Sequence, residues 1–198
     1  MYIRNVPVYE YDNAFGTDSF VFPVVYIGVG TVWIVSMVVH YITIFAMRQP
    51  ERPDIIFMAI SVVSAFFMAI FAIEMYKYPR RGFISALSIT PVLFMCTWLF
   101  LIYRDNASNP ILLSYVYMCL AIMFSALGFY INSCFAFGRS AIGKGVVFYS
   151  AAAFFCIVVL ADDISMSFKL FFGAVAFLNL FNLSALLRNL QRKRKYIR

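Results

Sequence analysis

Six long apolar runs take up most of the chain, and they fix the solvent in which it folds. They are Phe20–Met47, Ile55–Tyr76, Phe83–Tyr103, Ile111–Phe137, Val146–Ala161 and Ile164–Leu187. A helix crossing the hydrocarbon core of a bilayer needs about 20 apolar residues. Five runs meet that length, and Val146–Ala161 stands at the short end of the range. The sequence predicts an all-α, polytopic integral membrane protein, a bundle of six transmembrane helices.

Composition agrees. The chain is 64% hydrophobic and 13% charged, where soluble domains run near a quarter charged. No stretch is long and polar enough for a separate soluble domain. The expected organisation is a cytoplasmic tail over residues 1–19, a membrane domain over 20–187 and a basic cytoplasmic tail over 188–198. The first run is too long for the apolar part of a cleavable leader, so it reads as an uncleaved first span.

Charge gives the spans a direction. With both tails on one side, that side holds Arg4, Lys77, Arg80, Arg81, Arg139, Lys144 and the tail's Arg188, Arg192, Lys193, Arg194, Lys195 and Arg198. The other side holds Arg48, Arg52 and Arg104. Basic residues in short loops collect on the cytoplasmic side, so both termini are expected inside a cell membrane, a bacterial plasma membrane by this reading. The basic tail follows a span directly. Its expected partner is therefore an anionic headgroup layer rather than nucleic acid, at about 1 kcal/mol per basic residue near the surface.

The N-terminal tail alternates aromatic residues (Tyr9, Tyr11, Phe15) with acidic ones (Glu10, Asp12, Asp18). It suits either the membrane interface or a protein partner. An internal repeat is suggested by an offset of 88, which sets Phe66 and Phe67 on Phe154 and Phe155, and Glu74 on Asp162. Three spans per half would make it a 3+3 inverted repeat, a recurring plan of transporters.

Polar side chains inside the runs are the functional clues, because hydrocarbon makes them costly and they face a partner or a cavity. Trp33, Ser36, His40 and Thr43 recur at helical spacing in run one. Asn179 and Asn182 lie one turn apart in run six, and Lys169 stands less than two turns from its start. His40, Ser36, Trp33, Asn179, Asn182 and Lys169 are the candidate ligand-binding residues, placed in an outer pocket between the first and last runs. For His40 and the two asparagines the competing role is helix-to-helix hydrogen bonding. Asn132 shares a small-residue face with Ala121, Ser125 and Gly128, and Ser61, Ala65 and Ala69 form a second such row; both read as close packing. Thr90-Pro91 is expected to kink run three.

Catalytic machinery is missing from the pattern. There is no phosphate-binding glycine loop, no zinc-binding H-E-x-x-H and no nucleophile elbow. Cys96, Cys119, Cys134 and Cys156 lie inside apolar runs and form no C-x-x-C pair, so neither disulfides nor a metal site is expected. No catalytic residue, cofactor or metal is assigned, and an enzyme is the least supported reading.

The outline of 198 residues, six spans and both ends inside resembles the substrate-binding membrane subunits of energy-coupling-factor vitamin importers. The resemblance is architectural, rests on no motif and carries over no site residue. Two functions stay open. One is a small-molecule binding or transport subunit with a site in the outer half of the bundle. The other is a non-enzymatic sensor, scaffold or assembly partner that acts on protein subunits through its tails and helix surfaces.

Overall fold

The computed structural model describes residues 19–47, 52–77, 82–106, 113–137, 139 and 142–196. Residues 1–18, 48–51, 78–81, 107–112, 138, 140–141 and 197–198 lie outside them, and with them the alternating aromatic and acidic residues of the N-terminal tail and Arg48, Arg80 and Arg81. Every regular element among the described residues is a helix: α1 Val21–Met47, α2 Arg52–Lys77, α3 Gly82–Leu87, α4 Thr90–Asn106, α5 Leu113–Ala136, α6 Ile142–Leu160 and α7 Met166–Tyr196. Six stretches are long and apolar enough to cross a bilayer, at Val21–Met47, Asp54–Tyr76, Ser85–Arg104, Tyr115–Ala136, Ile142–Leu160 and Met166–Arg188. The predicted all-helical class and the six spans are therefore observed.

Local chemistry sets the helix ends. Ser19 opens α1: its hydroxyl faces the Val21 amide at 3.4 Å and its carbonyl accepts from Phe22 at 3.0 Å. Pro23 sits in the first turn, where its missing N–H costs nothing. α5 ends with the Arg139 amide donating to the Cys134 carbonyl at 2.8 Å, a six-to-one bond of the Schellman kind. Ser165 precedes α7, after a link too short to do anything but return the chain beside α6.

The spans pack in chain order: α1 on α2, α2 on α4, α4 on α5, α5 on α6, α6 on α7, and α7 back on α1. The six form a closed ring. α1 and α2 approach closely where a Cβ on Gly30 would stand 3.5 Å from the Ala65 carbonyl. This is the small-residue row expected from Ser61 and Ala65, both buried, and such rows let membrane helices touch.

Side chains fill the ring's interior in two levels. Toward the Met47 end of α1 lies an aromatic layer. Trp33 contacts Phe171 at 4.8 Å, Phe94 at 5.1 Å and Phe129 at 6.1 Å between ring centres. Trp98 of α4 packs across the ring on Phe171 and Phe172 of α7 at 4.9 and 5.4 Å. Toward the Val21 end of α1 lies a polar level. Each aromatic pair adds about 0.5–1.5 kcal/mol beyond its buried area.

Two helix ends extend furthest past the apolar runs. α6 begins at Ile142, four residues before the predicted run, because Gly143, Lys144 and Gly145 are helical without being apolar. α7 continues as a helix through the basic segment to Tyr196.

Candidate functional site

The third span is broken. α3 ends at Leu87, α4 begins at Thr90, and between them the amides of Ser88 and Ile89 turn back to the Ser85 and Ala86 carbonyls at 3.2 and 3.1 Å. Pro91 is the reason: it has no N–H to continue the ladder, and it falls in the first turn of α4, where none is needed. The Leu87 carbonyl freed by the break accepts from the Thr90 hydroxyl at 2.8 Å. The kink expected at Thr90-Pro91 is thus an interruption of the span.

Serines tie the break to α5. The Ser133 hydroxyl donates to the Ser88 carbonyl at 2.9 Å, and the Ser85 hydroxyl donates to the Ala136 carbonyl at 2.8 Å. Beside Ser133 on α5, Asn132 leads into a buried chain of neutral hydrogen bonds. Its Nδ2 donates to the Tyr26 hydroxyl at 2.8 Å, which donates to Asn182 Oδ1 at 3.0 Å, while the Tyr149 hydroxyl donates to Asn132 Oδ1 at 3.0 Å. Four helices, α1, α5, α6 and α7, meet at this node. A cavity of about 10 Å³ separates it from the break, lined by Tyr26, Met68, Phe71, Ser88, Pro91, Phe129 and Asn132. That is about the size of one water molecule.

The six candidate residues divide between the two levels. Trp33 is wholly buried, and its indole N–H donates to the Ser61 hydroxyl at 2.8 Å. Ser36 is buried and donates to the Trp33 carbonyl of its own helix at 2.8 Å. His40 is half-buried with its ring 4.5 Å from that of Phe168, and Lys169 is half-buried beside it in sequence. Asn182 belongs to the node, about 20 Å from Lys169 along α7. Asn179 is buried one turn from Asn182, donates to the Val175 carbonyl at 2.9 Å and lies against Gly128. The structure brings His40 together with the start of α7, and Asn182 together with Tyr26. It does not bring His40 and Asn182 together. Thr43, the fourth residue of the run-one face, is exposed and donates to its own Val39 carbonyl at 2.8 Å. At 100° per residue its position has turned about 80° from Trp33.

Tyr26 and Tyr149 are the site residues that sequence reasoning passed over, since a tyrosine inside an apolar run reads as an aromatic. A signal was present: Tyr26, Trp33 and His40 recur every seven residues. Ser125 and Asn132 on α5 have the same spacing as Tyr149 and Cys156 on α6, and the two pairs meet in register, Ser125 with Cys156 at 3.4 Å and Asn132 with Tyr149. A seven-residue repeat on two antiparallel helices is a packing seam.

Among the described residues no three His, Cys, Asp or Glu side chains gather as metal ligands would. No family model, curated protein or solved structure matches the chain.

Proposed function

We propose that this integral membrane protein binds or transports a small uncharged molecule, at the level where the broken third span faces the Tyr26–Asn132–Tyr149–Asn182 node. The observation that carries the reading is the break itself. An interrupted span inside hydrocarbon survives only where its freed backbone is held by protein or lines a cavity, and interrupted helices at the bundle interior are where membrane transporters place their substrates. Here the break, the node and the cavity lie side by side. The residues that line the cavity include no Asp, Glu, Lys, Arg or His, which favours an uncharged ligand. The aromatic layer closes the interior toward the Met47 end of α1, so access is from the other end. By the charge bias that end is the cytoplasmic side, with both termini there. The proposed site takes in Asn182, while Trp33, Ser36, His40 and Lys169 form the layer and rim beyond it.

The test is purification of the full chain in mild detergent and native mass spectrometry of what comes with it. The reading predicts a small neutral molecule bound to the wild-type chain and lost from Asn132→Leu, with Leu93→Ala on the lipid-facing side keeping it. A stoichiometric protein partner and no small molecule would favour the sensor, scaffold or assembly reading instead.

A further inference from the structure

The interior face of α2 carries a polar group that the fold leaves unused. Ser64 is wholly buried, and its hydroxyl has no hydrogen-bond partner among the described residues. A buried hydroxyl left unpaired costs stability. Its direction follows from Phe57 and Phe71, which lie seven residues to either side and share its face of the helix. Phe57 stacks on Phe94 of α4 at 5.3 Å, and Phe71 lines the cavity at the break together with Ser88 and Pro91. Ser64 stands between them, so it faces the first turn of α4, with the aromatic layer on one side and the cavity on the other. The break does not need it, because the Leu87 and Ser88 carbonyls are taken by Thr90 and Ser133. One turn from Ser64 toward the cavity is Met68, which lines the cavity and has an unbranched, flexible side chain. We infer that Ser64 is a second polar contact for the molecule bound at the break, and that this molecule is a short neutral chain with a hydroxyl or amide group at each end. The inference rests on the reading of the break as a ligand site. One end of the molecule occupies the cavity beside Asn132 and Ser88. The other reaches Ser64, about one helical pitch, or roughly 5.4 Å, away. The apolar middle takes the place of the Met68 side chain.

The test uses trimethylene glycol and propanol, which differ by one terminal hydroxyl, titrated by saturation-transfer NMR into the full chain in detergent. Comparing the ratio of the two affinities between variants cancels partition into the micelle. Wild type is expected to bind the glycol about fivefold more tightly than propanol, the worth of one added hydrogen bond. Ser64→Ala should bring the ratio close to one and, having removed an unpaired hydroxyl, should melt no lower than wild type. Asn132→Leu should lose both compounds. Wild-type binding of both at the same affinity overturns the inference and leaves the ligand site standing, as does a preference for the glycol that survives Ser64→Ala. A Ser64→Ala chain that melts well below wild type overturns it too, since the hydroxyl would then be structural. Wild-type binding of neither compound overturns the inference and counts against the ligand site itself.

Discussion

Among the described glycines, Gly128 has the least room. A Cβ there would stand 2.6 Å from Asn179 Oδ1, closer than packing allows, so Gly128→Ala is expected to lower stability by about 1–3 kcal/mol. Asn179→Ala removes the obstructing atom. The double variant should recover most of the loss, a non-additivity that thermal melts in detergent will register. At the node, the Tyr26 hydroxyl accepts from Asn132 and donates to Asn182. Tyr26→Phe leaves both amides short of a partner, and a loss of about 1–2 kcal/mol is expected. That cost should shrink in an Asn132→Leu background, because one of the two bonds is already gone. Trp33 is held differently, by one hydrogen bond to Ser61 and three aromatic neighbours. Trp33→Phe should therefore cost less than Trp33→Ala, which empties about 3–5 kcal/mol of buried aromatic packing.

The decisive element is the third span. Pro91 explains why it breaks, but the serine bonds to α5 explain why the break stays where it is. Ser85→Ala with Ser133→Ala should lower the melting midpoint more than Pro91→Ala does, since it cuts two cross-helix bonds of about 0.6–1.7 kcal/mol each. The reverse order would mean that proline alone holds the geometry. The sequence was informative here in a limited way. A proline in an apolar run announces an interruption, and Thr90 before it supplies a hydroxyl for the freed carbonyl. Which helix receives the broken ends depends on ring order, and a sequence of similar apolar runs does not encode ring order legibly. The extension of α7 was masked for another reason: Arg192, Lys193, Arg194 and Lys195 end the apolar pattern without ending the helix, because Lys and Arg are good helix formers.

At the scale of the molecule, the six spans follow from apolar length, and that much could be read directly from the runs; their closure into a ring could not. Nor could the interior. Polar residues were visible one helix at a time, so His40, Lys169, Asn179 and Asn182 looked like one pocket between the first and last spans. Antiparallel packing sets His40 against Phe168 and Tyr26 against Asn182, with the aromatic layer separating them. The interior thus consists of a sealed level and a polar level, and the broken span borders the second. The most direct test of that picture is thiol accessibility at the break. Ser88→Cys is placed in a chain whose Cys96, Cys119, Cys134 and Cys156 are all Ala, reconstituted in vesicles and treated with a membrane-impermeant thiol reagent. Leu93→Cys, facing lipid, and Phe94→Cys, inside the aromatic layer, serve as references. The account predicts that the thiol at 88 reacts from the side of the α7 C-terminal end, well ahead of both references. A thiol at 88 that stays unreactive from either side until the protein is denatured would contradict it.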